Sequence, residues 1–403
     1  MIDFIIFFIV IFLLNQGFLN HLKRKHSFFN KKLLDYLFFY HVLFFITYFI
    51  YAVYNPSDSK QYYFVSSEYS HLWLNFFDTG TDFISFIAIP FVKLGASYIS
   101  TMFIFSWFGY LGFVYAYLLF KENIPETVKV FGGIDLLTLL LFLPNMHFWT
   151  ASLGKGSVIF LGLMLFTYAV KYPLKRIVLL LIGGFLVYMI RPHIMLFVLV
   201  GVMIGLVRGR EKINLGVKAL VLIVSFVFLF LASDTILQVA NLENSDDLIG
   251  DFIEFSDQHS TGLSEMAGSG VDMNNYSLPV KFFTFWFRPL FIDAPNALGL
   301  IISFENLVYI LLFLKVINIG FVRFIFKAPY MVKMASVTFF LSTFALTFVM
   351  SNLGIIMRQK SMVMYFAFFV IYYYLAEKQY YKKLYLKKQF EEEQAVRNIK
   401  QIQ

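Results

Sequence analysis

Apolar runs long enough to cross a lipid bilayer recur along the whole of this chain. A transmembrane helix needs roughly 17 to 25 mostly apolar residues, and windows of about 19 residues predict eleven such runs. The chain is 59% hydrophobic and only 14% charged, whereas a soluble domain carries about 25% charged residues. We therefore predict an all-α, polytopic integral membrane protein with about eleven transmembrane helices. The predicted spans are 2–19, 34–54, 96–120, 130–150, 157–172, 176–190, 194–207, 213–232, 297–317, 333–351 and 361–377.

Lysine and arginine are distributed unevenly between the two sides of this predicted bundle. If the N-terminus lies outside, the connections on the cytoplasmic side hold 25 of the 33 Lys and Arg residues. Positive loops face the cytoplasm, so the N-terminus is predicted outside and the C-terminus inside. The first span is too long for a removed signal peptide and lacks its small-residue cleavage site. The chain then forms one transmembrane domain over 1–377, with outer loops at 55–95 and 233–296 and a charged cytoplasmic tail at 378–403.

Composition excludes several kinds of function. The chain contains no cysteine, which excludes disulfides, thiolate metal sites and cysteine nucleophiles. Its net charge of +8 would suggest a nucleic-acid partner only if the basic residues clustered on a soluble module. The positive charge follows the predicted membrane topology instead, so no nucleic acid is predicted as a partner.

The two long outer loops carry further apolar segments. The first contains an apolar stretch after 80–83 that is broken at Pro90 and Lys93 and is too short to span, which predicts a re-entrant or interfacial helix. In the second, 241–275 is polar and acidic and is predicted to be a mobile loop. The aromatic segment after Leu278 is predicted to be an amphipathic helix on the outer membrane surface.

Cations at the outer ends of the predicted helices are not explained by topology. An ionised residue next to hydrocarbon usually needs a partner. The planar guanidinium group of arginine can donate two parallel hydrogen bonds to phosphate oxygens. We predict that four of these cations bind a diphosphate, with snorkelling to the interface or pairing with a carboxylate as the alternative. The four are Lys155, Arg191, Arg288 and Arg358, and Lys93 and Lys360 lie at the same predicted level.

Fewer residues on the outer side could act as a general base that takes a proton from a hydroxyl group. The predicted candidates for this general base are His193, Asp82 and Glu305. Glu305 lies inside a predicted span and has the alternative role of neutralising an arginine. Asp58 stays open, and His147 is assigned to an aromatic interfacial belt. No cofactor and no protein-bound metal are predicted, because these residues have no recognised ligand spacing; a divalent cation bridging the diphosphate stays open.

Several short motifs in order along the chain resemble the polymerases of bacterial surface polysaccharides, of the Wzy and EpsG type. They lie between about 80 and 361, which is most of the chain, and the resemblance rests on their order and shared predicted side. The motifs are Gly80-Thr-Asp82 with Pro90 and Gly95-Ala-Ser-Tyr98, Leu153-Gly-Lys-Gly-Ser157, Arg191-Pro-His193, Phe287-Arg-Pro289, Ser303-Phe-Glu-Asn306, and Asn352-Leu-Gly-Ile-Ile-Met-Arg-Gln-Lys360.

The resemblance implies a GT-C-like glycosyltransferase of the bacterial inner membrane. Such an enzyme joins undecaprenyl-diphosphate-linked repeat units at the outer face, alongside a flippase and a chain-length regulator of the same pathway. The implied diphosphate ligands are the four cations above, and the implied base is one of the three candidates. One departure is that these polymerases often carry a late outer loop of defined helices, whereas 241–275 is polar here.

Three other classes of membrane protein stay open. An O-antigen ligase would use the same lipid donor with a lipid A core as acceptor. A GT-C enzyme using a polyprenyl-monophosphate sugar normally has an acidic pair in its first outer loop, where this chain has the separated Asp58, Asp78 and Asp82. A flippase or transporter would line a path through the membrane with charges, but here the unexplained charges gather at one face.

Overall fold

The computed structural model describes residues 2–124, 126–211, 213–239, 270, 271, 273, 275–294 and 296–402. The chain is 80% helical, which confirms the prediction of an all-α fold. The described helices are α1 (Ile2–Lys25), α2 (Lys31–Tyr54), α3 (Asp58–Glu68), α4 (Thr81–Lys93), α5 (Tyr98–Asn123), α6 (Leu136–Leu141), α7 (Pro144–Thr150), α8 (Lys155–Val170), α9 (Ile177–Ile190), α10 (Pro192–Arg208), α11 (Leu215–Leu231), α12 (Ser233–Val239), α13 (Leu278–Phe287), α14 (Ala297–Leu314), α15 (Ile319–Lys327), α16 (Tyr330–Val349) and α17 (Leu353–Ile402), with a 3₁₀ helix at Ser70–Phe76.

The lengths and apolar compositions of these helices are those expected of a membrane protein. Among the described residues, six helices are long and apolar enough to cross a bilayer: α1, α2, α5, α14, α16 and α17. The other predicted spans fall on shorter apolar helices, namely the α6–α7 pair, α8, α9, α10 and α11. The count of eleven crossings therefore stays a prediction. Helices α5 and α8 and the first half of α17 are buried and form the core. Helices α1, α2 and α11 expose long apolar faces, as lipid-facing helices do.

Close contacts between helices position the end of α9, which carries one of the candidate cations. A Cβ built on Gly183 would lie 2.5 Å from the Phe166 amide nitrogen and 2.9 Å from the Gly162 carbonyl oxygen, so α8 and α9 touch backbone to backbone. Small residues permit this approach between helices in a membrane. The backbone N–H of Arg191 then closes α9 by bonding the Val187 carbonyl at 2.8 Å.

The predicted span 130–150 is corrected by the structure. Its first residues form a two-stranded antiparallel hairpin, β1 (Lys129–Val130) and β2 (Ile134–Asp135), because Gly132 and Gly133 adopt positive φ angles that make the turn. The rest forms two short helices, α6 and α7, with Pro144 at the first position of the second, where its missing N–H is tolerated.

Other predicted segments are also helical, with differences in detail. Helix α4 does not break at Pro90 but continues to Lys93, and the Leu94 N–H bonds the Pro90 and Phe91 carbonyls. Helix α13 is not only a surface helix, because its Trp286 ring stacks on Phe339 of α16 at 5.5 Å. The predicted tail continues α17 as one 50-residue helix. Most of the predicted mobile loop, 241–275, lies outside the described residues.

Candidate functional site

Three of the four predicted diphosphate ligands meet in one cleft. Lys155 is the first residue of α8, Arg191 lies between α9 and α10, and Arg358 lies in the second turn of α17. All three line the cleft together with Asp58 of α3. With three cations and one carboxylate, its charged lining carries a net charge of +2. The arrangement suits an anion with more than one negative charge.

Local backbone geometry brings these cations together. The Gly80 N–H donates to the Met189 carbonyl at 2.6 Å and ties the loop before α4 to the end of α9. A Cβ on Gly80 would lie 3.6 Å from the Lys155 ammonium, so this loop passes close to the cleft. A Cβ on Gly156 would collide with the Trp149 carbonyl oxygen. Glycine at 156 therefore allows the first turn of α8 to pack against the end of α7.

Asp58 already occupies part of the cleft as an internal anion. Its carboxylate accepts a hydrogen bond from Arg358 at 2.8 Å, and the two side chains are 61% and 37% exposed. Exposed ion pairs of this kind contribute about 1 kcal/mol or less. The enclosed volume is about 30 Å³, enough for a few water molecules at most. A diphosphate would therefore have to displace Asp58 from Arg358 to enter.

Arg191 is the cation best placed to accept a new anion. Its side chain is partly buried, and among the described residues its Nε has no hydrogen-bond partner. Burial, with Arg358 as the next cause, lowers the pKa of Arg191 to about 10, so the guanidinium is charged at neutral pH. A buried donor without a partner is unfavourable. An anion in the cleft would satisfy it.

Two of the predicted bases lie near the cleft without lining it. Asp82 is exposed in the first turn of α4, and its charge acts on Lys155. His193 lies in the first turn of α10, close enough for Arg191 and Lys155 to act on it. The Nδ1 of His193 is buried and has no partner among the described residues.

The two remaining predicted site residues, Arg288 and Glu305, are not among the residues that line the cleft. Arg288 donates through Nε to Asp293 and lies 3.4 Å from the Tyr276 hydroxyl. The chain turns after Pro289, where the Asp293 N–H donates to the Leu290 carbonyl. This turn brings the Asp293 carboxylate next to the Arg288 guanidinium. Arg288 is therefore neutralised locally.

Glu305 is buried in α14 and is likewise separate from the cleft. Its carboxylate accepts hydrogen bonds from the Asn145 backbone N–H at 2.7 Å and from the Tyr309 hydroxyl. It therefore does not neutralise one of the arginines, as the sequence had left open. Lys360, predicted at the interface, is fully buried nearby and donates to the Asn306 Oδ1 at 2.7 Å. These contacts make the group a structural polar network inside the bundle.

Sequence reasoning missed the aromatic wall of the cleft. Tyr48, Tyr62 and Trp149 line it beside the cations, and the Trp149 indole N–H is buried without a partner among the described residues. Tyr and Trp can pack an apolar ring face against a ligand and also hydrogen-bond it through their O–H or N–H group. Nothing in the local sequence distinguishes these rings from the chain's other aromatic residues.

Comparison of the chain with models of protein families, with curated proteins and with solved structures finds no match. The described residues contain no group of three or more His, Asp or Glu side chains that could hold a metal ion. The candidate site therefore rests on the geometry of the cleft alone.

Replacing the internal anion tests whether the cleft binds diphosphate. We expect Asp58→Asn to tighten the binding of pyrophosphate by roughly two- to fivefold, because the exposed Asp58–Arg358 pair no longer competes. Isothermal titration of the full chain in lipid nanodiscs measures this. Asp78→Asn is the matched control, since Asp78 is in the same outer loop and does not line the cleft. Equal affinities for the Asp58→Asn variant and the wild type would contradict the assignment.

Proposed function

We propose that this protein is a glycosyltransferase that joins undecaprenyl-diphosphate-linked repeat units into a polysaccharide at the outer face of the bacterial inner membrane. The observation that supports this most is the convergence of Lys155, Arg191 and Arg358 on one cleft with only one carboxylate among its lining residues. A leaving diphosphate needs such a set of preorganised cations. The N-out orientation, the eleven crossings and a GT-C-like arrangement belong to the same proposal.

The cleft residues account for each part of the transfer. A hydroxyl oxygen of the acceptor sugar attacks the anomeric carbon of the donor glycan, and the bond between that carbon and the diphosphate oxygen breaks. The diphosphate leaves with the electron pair, and Lys155, Arg191 and Arg358 stabilise the charge that develops on it. The hydroxyl proton passes to Asp58, which the entering diphosphate has displaced from Arg358. Asp82 and His193 are the alternative bases.

The presence of an apolar groove favours the proposal of a lipid-linked substrate over that of a free anion. The groove has a volume of about 300 Å³ and lies between α8, α9, α10 and α11. Its residues on α9, from Ile177 through Leu181 and Gly184 to Tyr188, follow one helical stripe at spacings of three and four. The next position on that stripe is Arg191 of the cleft. A polyprenyl chain in the groove would therefore bring its phosphate groups to the cations.

One observation favours a second candidate, a GT-C enzyme that uses a polyprenyl-monophosphate sugar. Two carboxylates of the first outer loop, Asp58 and Asp82, lie close enough for both to act on Lys155, and such enzymes are expected to have an acidic pair there. The two functions differ in the ligand. A polymerase of this kind should bind pyrophosphate more tightly than phosphate, and the monophosphate enzyme should bind the two alike.

The length of lipid-linked glycan in cells tests the proposed function. With Arg358→Gln we expect single repeat units to accumulate and long chains to disappear, because the cleft loses one diphosphate ligand. The matched control is Lys60→Gln, since Lys60 is an exposed cation on the same helix as Asp58 and its ammonium donates to the Val53 and Asn55 carbonyls. The glycans are released from lipid extracts and resolved by size in wild type, both variants and a deletion strain.

Each outcome separates the candidate functions. Accumulation of single units in Arg358→Gln and not in Lys60→Gln supports a polymerase that uses the cleft. Chains of normal length that stay on the lipid carrier indicate a ligase instead. An unchanged glycan in Arg358→Gln overturns the assignment of the cleft.

A further inference from the structure

A pair of histidines inside the bundle forms a second polar site, separate from the cleft. His41 of α2 and His147 of α7 are fully buried, and their Nδ1 atoms lie 2.8 Å apart. The sequence had placed His147 in an interfacial aromatic belt, and burial corrects this. Both rings also contact carbonyl oxygens through Nε2, His41 that of Ser106 at 3.0 Å and His147 that of Leu141 at 2.7 Å.

The three contacts of this pair require three protons. A carbonyl oxygen only accepts hydrogen bonds, so each Nε2 must carry a proton to donate. The contact between the two Nδ1 atoms needs one more proton. Without it, the lone pairs of the two nitrogens would point at each other across 2.8 Å and repel. Two neutral imidazoles carry only two protons between them. The neutral pair therefore leaves one short contact between buried polar atoms without a hydrogen bond.

The surroundings of the pair suit a positive charge. The Phe113 ring lies parallel to the His147 ring with centroids 3.9 Å apart, and the face of an aromatic ring attracts a cation. The Tyr40 ring meets the His147 ring edge-on at 4.8 Å.

Burial works against a charge here, because a desolvated ion loses its hydration. Three completed hydrogen bonds and the stacked Phe113 ring offset that loss. The titratable and charged groups around the pair are contributed by each neighbouring helix. Tyr40 on α2 and Tyr110 on α5 contact the two rings, and Tyr365 on α17 contacts the stacked Phe113 ring. Glu305 on α14 bonds the α7 backbone at Asn145 and acts on Tyr40.

We propose that His41 and His147 form a proton-binding site in which the two rings share three protons and one positive charge at neutral pH. The site connects α2, α5 and the α6–α7 segment through the contacts above. It also lies beneath the cleft, since Trp149 follows His147 by two residues and Tyr48 follows His41 by two helical turns. The bound proton therefore holds in place the segment that carries the aromatic wall.

Nitrogen NMR on the full chain counts these protons directly. The protein, labelled with ¹⁵N only at its seven histidines, is reconstituted in lipid nanodiscs at neutral pH. We expect two Nδ1 nitrogens coupled to each other through one shared proton, and both Nε2 nitrogens of the same two rings carrying protons. The exposed His21 and His71 provide the internal reference for uncoupled rings.

Two variants assign the signals and test the charge. His147→Gln should abolish the nitrogen–nitrogen coupling and leave His41 neutral with one N–H, whereas His71→Gln should change neither. The wild-type spectrum identifies the pair by its coupling even if His147→Gln does not fold. A bare Nε2 on either ring, or no coupling between two Nδ1 nitrogens at neutral pH, would overturn the proposal.

Discussion

Arg191→Gln is expected to abolish pyrophosphate binding to the cleft and to lower glycan transfer by about 100- to 1,000-fold, the usual effect of removing one preorganised donor. Arg191 has the largest expected effect because it is partly buried and its Nε has no partner among the described residues. Arg358, in contrast, already bonds Asp58. Binding is measured by titration in nanodiscs, and transfer by the extension of lipid-linked repeat units.

One further variant at this position separates charge from geometry, and a second variant outside the cleft is the control. Arg191→Lys keeps a cation and loses the planar fork, so we expect intermediate binding and transfer. Arg288→Gln removes a cation that is held by Asp293 outside the cleft, so pyrophosphate affinity should match the wild type. If Arg191→Gln binds pyrophosphate normally, the three cations do not form an anion site, and the proposed function loses its main support.

The helices could be predicted from the sequence because membrane burial leaves a strong local signal. Long apolar runs placed both ends of α2, α5 and α16 within three residues, and the start of α1 at the correct residue. The hairpin before α6 and the break before Pro144 were missed, since a window of about 19 residues averages over two glycines and one proline.

The candidate site was only partly predictable for a different physical reason. Predicted topology placed Lys155, Arg191 and Arg358 at one end of the bundle, and the structure brings them into one cleft. Topology gives a side of the membrane but not a position around the bundle axis. Arg288 shares the predicted side and yet bonds Asp293. The approach of Asp58 to Arg358 joins residues 300 positions apart, which no local pattern encodes.

Lys360→Met is expected to lower the free energy of unfolding by about 3–5 kcal/mol, the range seen when one member of a buried charged network is removed. The Lys360 ammonium is fully buried and donates to the Arg288 carbonyl and the Asn306 Oδ1, each at 2.7 Å. Methionine has a similar shape and no donor, so both acceptors would stay buried without a hydrogen bond. Equilibrium unfolding in mixed micelles measures the loss.

The comparison with two other variants decides whether this network is structural. Lys93→Met removes an exposed cation that lies 5.8 Å from the Trp73 ring centroid, and its stability should stay close to wild type. Glu305→Gln combined with Lys360→Met should recover part of the loss, because the buried Glu305 carboxylate, on which the Lys360 charge acts, is then also removed. If Lys360→Met instead keeps its stability and loses pyrophosphate binding, Lys360 contacts the ligand and the anion site extends beyond the cleft into the bundle.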